Sequence, residues 1–327
     1  MRTSNGSRLI RALLTALALA PACGPIAPAQ QLAPPQDCDL ACLKRAADAY
    51  WDALLAHDPA RLPGASALTF SENGVRLRPG EALWRTISAA GPHEMTFMDV
   101  LRGTVVTSAL VTEGGHRALL LARLTVTHGA IAQIETIVAR REMTSFLAPQ
   151  GWDRAHALVL KPLAPSARRS RAELVRIAQA YFDRLPDPDR PLPPLDPRCN
   201  RVENGVQTTN NPEPFPGMHP APLSAAISRM GCAEQFALRR LNFVSRVRER
   251  RYVLADESRG LILALATFDH DGTASKRPGS SNPSLSTALP SPYSYVVAEL
   301  FKIVDGKILH IDALITQVPY GMRSPWQ

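Results

Sequence analysis

Hydrophobic and polar positions follow a helical spacing in several segments of the chain. Over residues 40–56 apolar side chains recur every three or four positions, which predicts an amphipathic helix with Asp39 as its N-cap. The same spacing over residues 171–185 predicts a second amphipathic helix, capped by Ser170. Shorter helices are expected over residues 80–88 and 223–238.

Long apolar runs bounded by turn residues predict strands in both halves of the chain. They lie over residues 95–102, 117–127, 130–140, 243–254, 261–269, 294–304 and 307–318. Two Asn-Gly pairs, Asn73-Gly74 and Asn204-Gly205, separate short apolar segments and predict tight hairpins, because both residue types tolerate positive φ. Helices followed by antiparallel strands predict an α+β fold.

This pattern of predicted helices, turns and strands occurs twice in the chain. Tyr181 follows Tyr50 by 131 positions (181 − 50), and Asn204 follows Asn73 by the same 131 (204 − 73). Near the end of each copy, residues 128–135 and 305–312 resemble each other at a separation of 177 (305 − 128). This repetition predicts an internal duplication whose second copy carries about 46 additional residues (177 − 131) between the turn and the last strands.

The chain divides at changes of composition. Residues 1–29 combine a positive start, a short apolar run and small residues, as an export signal does. We expect a first domain over 38–145, a linker over 146–169, a second domain over 170–320 and a tail over 321–327. Cys23 resembles a lipoprotein cleavage site, although Pro21 fits that motif poorly, so a released and a lipid-anchored protein stay open as alternatives.

Charge and cysteine content restrict the functional classes. The net charge of +8 falls to about +5 without the signal, and no basic run is interleaved with aromatic residues, so no nucleic-acid partner is expected. No apolar run is long enough to span a bilayer. In an oxidising compartment the natural disulfides are Cys38–Cys42 and Cys199–Cys232, and no spacing favours a metal or another cofactor. These observations favour a secreted or periplasmic protein.

Several short segments carry a family resemblance: Ala56-His57-Asp58-Pro59, residues 71–74, Arg201 to Asn211, Met230-Gly231-Cys232, Phe268-Asp269-His270 and residues 318–322. The chain resembles secreted tandem SnoaL-like proteins of the nuclear-transport-factor-two-like superfamily. The resemblance implies two tandem cystatin-like cones, each a curved sheet wrapped on helices around a pocket. Superfamily members include cofactor-free isomerases, dehydratases, epoxide hydrolases and polyketide cyclases, and also non-catalytic binding modules.

Four residues of the repeated pattern are candidate site residues. Tyr50 and Tyr181 lie on the helix faces predicted to point inward, where a hydroxyl group can polarise a carbonyl or simply pack in the core. Glu203 and Asn204 repeat Glu72 and Asn73 and are candidate ligand contacts, although a turn alone explains Asn-Gly.

Other candidates lie on the strands of the second copy. His310 and Asp312 are two residues apart and therefore lie on one face of a strand. On the concave side of the sheet they suit a base and the carboxylate that orients it. On the other side they form part of a polar outer face or of an interface. Asp269 and His270 end a strand and suit metal binding or acid–base chemistry at the mouth of a cone, although polar residues at a strand end are also ordinary. Three arginines alternate along one strand: Arg246, Arg248 and Arg250. If they point inward they form an anion-binding wall, and if they point outward they form a solvated basic face.

Two hypotheses follow. In the first, an exported cofactor-free lyase, isomerase or hydrolase binds a small, partly apolar molecule and uses acid–base catalysis in the second domain. In the second, the protein is a non-catalytic binding or scaffold protein whose two cones pack sheet to sheet as an intramolecular pseudo-dimer.

Overall fold

A computed structural model describes residues 38–92, 95–143, 147–148, 157–213, 221–237, 243–273 and 291–326. The predicted signal over 1–29, the candidate lipid-anchor residue Cys23 and most of the loop after Gly272 lie outside these ranges. Residues 33–327 group into one compact unit, and everything below concerns its described part.

Six α-helices are described: α1 (Leu40–Leu55), α2 (Leu83–Thr86), α3 (Ala157–Leu160), α4 (Arg171–Arg184), α5 (Ala221–Ser228) and α6 (Cys232–Ala237). The two amphipathic helices form as predicted. Asp39 accepts a hydrogen bond from the Cys42 amide at the start of α1, and Ser170 exchanges hydrogen bonds with Glu173 in a capping box at the start of α4. The predicted helix over 80–88 is only the four residues of α2, and the one over 223–238 is interrupted between Ser228 and Cys232.

The first half contains seven strands: β1 (Thr69–Glu72), β2 (Val75–Leu77), β3 (Ile87–Ala90), β4 (Met95–Asp99), β5 (Thr104–Glu113), β6 (His116–Thr127) and β7 (Ala130–Ala139). They form one mixed sheet in the order β2-β1-β7-β6-β5-β3, with β4 also pairing with β5. Strand β5 was not predicted. It follows Gly103, whose positive φ ends a 3-10 turn and lets the chain reverse after β4.

The second half contains six strands: β8 (Leu195–Glu203), β9 (Val206–Gln207), β10 (Arg246–Asp256), β11 (Leu261–His270), β12 (Tyr293–Val304) and β13 (Lys307–Val318). They form a second mixed sheet in the order β10-β11-β12-β13-β8-β9. The predicted strands of this half are therefore present, and the α+β class is confirmed. The conical wrapping that the resemblance implies stays a prediction.

Strand pairs of the first sheet have equivalents in the second sheet at constant sequence offsets. Phe70 pairs with Ile134 in the parallel ladder of β1 and β7, and Arg201 pairs with Ile311 in that of β8 and β13. The two pairs are related by the offsets seen in the sequence, 131 (201 − 70) and 177 (311 − 134). Both Asn-Gly turns have positive φ at both residues, as the hairpin prediction requires.

Three apolar clusters lie on the faces of these sheets. One joins α1 to the first sheet and a second joins α4 to the second sheet. The third contains side chains of both sheets, among them Phe97 and Leu121 of the first and Leu263 and Leu314 of the second. Each sheet is therefore buried on both faces, one against a helix and one against the other sheet.

Candidate functional site

A charged residue lies in the middle of the second sheet's helix side, the face that packs on α4. Glu299 of β12 is flanked along the strand by Val297 and Phe301, both members of the helix-side cluster, so its side chain points into the same interior. It is 2% exposed. A carboxyl group in such a position costs free energy unless other polar groups compensate it.

Three residues from other elements surround Glu299, and we call the four together the polar centre: Tyr181, Arg201, Glu203 and Glu299. The guanidinium of Arg201 lies 3.3 Å from the Glu203 carboxylate and within hydrogen-bonding reach of the Tyr181 hydroxyl. Arg201 is 3% exposed. Both Tyr181 and Glu203 were candidates from sequence, and the structure brings them together.

The electrostatics of the polar centre follow from its burial. Burial, with help from the charge of Glu203 and against that of Arg201, raises the pKa of Glu299 to about 8. Burial and the neighbouring Glu299 raise the pKa of Tyr181 well above its ordinary value. Burial alone would lower the pKa of Arg201, but Glu203 and Tyr181 outweigh it and raise that pKa. At neutral pH the centre therefore contains one ion pair, Arg201 with Glu203, and a protonated Glu299.

Two buried atoms at this place have no hydrogen-bond partner among the described residues: Oε2 of Glu299 and the hydroxyl of Tyr252 on β10. Burial is the main cause that raises the pKa of Tyr252 to about 12, and Asp183 and Glu299 add to it while Arg250 opposes it. The cross-strand neighbours of Glu299 are both small, Ala264 and Ala313. Tyr252 pairs with Ala264, which pairs in turn with Glu299, so this phenol and this acid lie on one face of the sheet with a small residue between them.

An aromatic cluster, Phe243, His270, Tyr293 and Tyr295, lies toward the other end of the same face. The rings of His270 and Tyr293 are 4.8 Å apart and those of Tyr293 and Tyr295 are 4.9 Å apart. His270 is buried and its Nδ1 lies 2.8 Å from the Phe243 carbonyl oxygen. Along β12 this cluster begins four residues, or about 13 Å, from Glu299. The sequence candidate His270 therefore faces the interior of the second half but not the polar centre.

Asp269 points away from that interior and is bound by two of the three candidate arginines. Arg246 donates to its Oδ2 at 2.9 Å and 2.7 Å, Arg248 donates to both oxygens, and Ser294 donates to Oδ1 at 2.7 Å. Burial alone would raise the pKa of Asp269, but these hydrogen bonds, led by Arg248, outweigh it and lower that pKa. The interaction accounts for all three charged side chains without a ligand.

The alternating arginines do not form a single wall. A β-bulge between Arg248 and Arg251 interrupts the ladder of β10 and β11, with Glu249 at positive φ. Within the bulge Arg250 pairs with Asp183, and after it Arg251 pairs with Glu135 of the first sheet.

His310 and Asp312 lie on the opposite face of β13, between the two sheets. Nε2 of His310 is 3.0 Å from Oδ1 of Asp312, and both residues are buried. Asp312 also lines a cavity of about 10 Å³ whose walls are mostly apolar and come from both sheets. The pair that the sequence suggested therefore exists, but on the interface side rather than the concave side.

The remaining candidate residues, Tyr50 and Asn204, make contacts that stabilise the fold. Tyr50 is fully buried on the helix side of the first sheet, where burial and Glu72 raise the pKa of its hydroxyl. The Asn204 amide donates to the Ile315 carbonyl at 2.9 Å and accepts from the Ile315 amide at 2.8 Å. Asn73 makes the same two contacts with Val138. These bonds tie each hairpin to the last strand of its sheet.

Sequence reasoning missed Glu299, Tyr252 and the role of Arg201. A signal for Glu299 was present, because it is the one charged residue in the run Val296-Val297-Ala298-Glu299-Leu300-Phe301. Arg201 was noted only as part of a family motif. No comparable signal marks Tyr252, which simply follows a run of charged residues on β10.

A family model described as a domain of unknown function, DUF8021, matches residues 37–138 and 167–315, which is more than half of the chain. The chain belongs to the DUF8021 family. All four residues of the polar centre and Tyr252 lie inside the matched ranges.

Similar solved structures include AclR from Streptomyces galilaeus, at 13% identity over 46% of this DUF8021 chain and 83% of that chain, with a TM-score of 0.29. A de novo designed protein with a curved β-sheet shows 14% identity over 45% and 88% of the two chains, with a TM-score of 0.26. A SnoaL-like protein from Jannaschia sp. CCS1 shows 13% identity over 47% and 90%, also with a TM-score of 0.26.

No curated protein matches this member of the DUF8021 family. Within the described ranges, none of the helices combines the length and the apolar character that crossing a bilayer requires. Both expected disulfides are present, Cys38–Cys42 and Cys199–Cys232.

Proposed function

We propose that the protein binds a small, partly apolar molecule on the helix side of the second sheet, with the polar end of that molecule at the polar centre. The observation that carries the proposal is the pair of unpartnered buried groups, Glu299 Oε2 and the Tyr252 hydroxyl. A buried polar group without a partner costs about 1–3 kcal/mol. A ligand oxygen that bonds to both groups recovers that cost, and the apolar side chains around them bind the remainder of the molecule.

The chemistry of the polar centre suits cofactor-free acid–base catalysis, as in a lyase, isomerase or hydrolase. Glu299 exchanges its proton near pH 8, so it can act as an acid below that pH and as a base above it. The Tyr181 hydroxyl and the Arg201 guanidinium are donors that stabilise negative charge developing on a substrate oxygen. We assign the proton transfer to Glu299 rather than to Asp269 or His310, because Asp269 is held by two arginines and His310 faces the other sheet.

A ligand-observed NMR screen tests this proposal. A library of neutral ketones, phenols and esters, with carboxylates and amines as charged controls, is screened against the natural chain and the Glu299→Leu, Tyr252→Phe and Asp312→Asn variants. We expect neutral oxygen-bearing molecules to bind the natural chain and Asp312→Asn alike, and to lose about tenfold in affinity with the other two, since one hydrogen bond is lost. Ligands that bind all four proteins equally would place the site elsewhere.

We propose further that the protein acts outside the cytoplasm. Two disulfides support this location, because thiols stay reduced in the cytosol. Residues 1–29 are the proposed signal, and Cys23 is the alternative anchor. Mass spectrometry of protein purified from its own host distinguishes them: a chain starting near residue 30 supports release, and a diacylated Cys23 supports anchoring.

A second candidate function is that of a non-catalytic binding or scaffold protein, with domains over 38–145 and 170–320 joined as a pseudo-dimer. The aromatic packing favours it: the rings of Phe236 and Phe301 lie 5.3 Å and 5.1 Å from Tyr181 and occupy the interior beside the polar centre. The apolar cluster between the two sheets also supports it. Biological activity that survives substitution of Glu299, His270, His310 and Asp312 together would favour this function.

A further inference from the structure

The short helix α6 places a buried polar side chain, Gln235, beside the polar centre. Gln235 is 1% exposed, and its Oε1 accepts a hydrogen bond of 2.5 Å from Nη2 of Arg201. Its Nε2 donates to the Thr208 carbonyl at 2.6 Å and to the Ile227 carbonyl at 3.0 Å. Both the oxygen and the nitrogen of the Gln235 side-chain amide are therefore hydrogen-bonded, and the bond to the oxygen holds the Arg201 guanidinium in place.

A covalent bond holds α6 beside the polar centre. Cys232 is the first residue of α6, and its disulfide partner Cys199 lies on β8 two residues before Arg201. Cys232 and Gln235 are three positions apart, so they share one face of the helix. A helix of six residues has little stability of its own, because nucleation costs more than so few hydrogen bonds return. The disulfide therefore sets where Gln235 can lie.

We propose that Gln235 is a positioning residue for the polar centre, acting through Arg201, and that the Cys199–Cys232 disulfide is required to keep it in place. The proposal rests on the proposed function, because it concerns regulation of the same site. Reduction of the disulfide adds two electrons and two protons, supplied by a thiol reductant, and leaves two thiols. Released from β8, α6 no longer holds the Arg201 guanidinium or excludes water from Glu299.

The exclusion of water links this proposal to a measurable quantity. Burial is the largest cause of the raised pKa of Glu299, so access of water lowers that pKa toward its ordinary value. The measurement needs no ligand, which separates a failure of this proposal from a failure of the proposed function.

The chain offers matched controls. Cys38–Cys42 is a second disulfide, in the first half and attached to α1, so Cys38→Ser/Cys42→Ser controls for the loss of a disulfide as such. Gln207 is an exposed glutamine on β9 whose amide donates to the Thr209 carbonyl, so Gln207→Leu controls for Gln235→Leu. The test pair consists of Cys199→Ser/Cys232→Ser and Gln235→Leu.

The experiment is a pH titration of the side-chain carboxyl carbon of Glu299 by ¹³C NMR in the full chain, with the resonance assigned through Glu299→Gln. We expect a pKa near 8 in the natural chain and in both controls. In Gln235→Leu we expect a decrease in the acid dissociation constant, because leucine keeps water out while the Arg201 charge, which lowers the pKa of Glu299, is no longer held in place. In Cys199→Ser/Cys232→Ser we expect a tenfold or larger increase in that constant, because water reaches Glu299 and burial is the largest cause of its raised pKa. Reduction of the folded natural chain with a phosphine gives the same expected shift without a substitution, should the double serine variant not fold. An unchanged Glu299 titration in Gln235→Leu and in the reduced chain would overturn the proposal.

Discussion

Glu299 occupies in the second sheet the position that Ala122 occupies in the first. Ala122 pairs with Thr136 across β6 and β7, and Glu299 pairs with Ala313 across β12 and β13, at the common offset of 177 (299 − 122). Arg201 likewise replaces Phe70, whereas Tyr181 and Glu203 repeat Tyr50 and Glu72. The polar centre therefore consists of two residues that the halves share and two that are present in the second half alone.

The buried acid gives stability a defined pH dependence. The folded pKa of Glu299, about 8, lies above that of the unfolded chain, so the unfolded chain releases this proton first as pH rises. The contribution is fully present below the unfolded pKa, about 4.3, and is lost as pH rises through 8, by about 1.4 kcal/mol per unit at most. We expect Glu299→Gln to gain stability relative to the natural chain between pH 5 and pH 8. Urea unfolding at each pH measures the difference, and parallel curves would contradict the prediction.

Glu135 and Asp312 are a second pair of equivalent residues. We expect their substitution to lower the free energy of unfolding by very different amounts. Glu135 is bound by Arg123 at 2.9 Å and by Arg251 of the other sheet, whereas Oδ2 of Asp312 has no partner among the described residues. Removing Glu135 leaves two arginines without their acid, so we expect Glu135→Ala to lose about 3–5 kcal/mol. Asp312→Asn should cost under about 1 kcal/mol, since it removes a poorly compensated charge. Chemical unfolding of both variants checks the ranking, which equal losses would refute.

At the two turn asparagines, we expect substitution by alanine to lower the free energy of unfolding more than substitution by glycine. Asn204 bridges the amide and carbonyl groups of Ile315 and has a φ of 48°. Both Asn204→Ala and Asn204→Gly lose these bonds, but only alanine also strains the left-handed backbone, at about 1–2 kcal/mol. We expect the same order for Asn73. Thermal unfolding of the four variants tests it, with equal stability of the alanine and glycine variants as the contrary result.

The segment after β13 attaches the second half of the chain to the first. Trp326 donates its indole N–H to Ser71 at 2.8 Å, and the guanidinium groups of Arg76 and Arg123 lie 5.3 Å and 5.2 Å from the centre of its ring. We expect Trp326→Ala to lose about 1–3 kcal/mol from these contacts.

Tyr320 in the same segment is 49% exposed and supplies the control. Tyr320→Ala should change the free energy of unfolding by under about 0.5 kcal/mol. If both substitutions have the same small effect in urea unfolding, Trp326 does not anchor this segment.

The sequence by itself determined the local elements and the constant offsets at which they recur. Apolar spacing and caps located α1 and α4, Asn-Gly pairs located both hairpins, and the cysteine spacing gave both disulfides, because each of these signals lies within a few residues or in one closed loop. The constant offsets also established which residues of the two halves correspond.

Only the tertiary structure decided which residues form a site. Alternation along a strand shows which side chains share a face, but not which face meets the helix, and β11 is buried on both sides and carries no polar face to reveal it. His310 and Asp312 therefore lie at the interface, and the bulge in β10 sends Arg251 to the other sheet. Glu299 follows Arg201 by 98 positions (299 − 201) and Tyr181 by 118 (299 − 181). The three residues meet because β12, β13 and β8 are neighbours in the sheet that packs on α4.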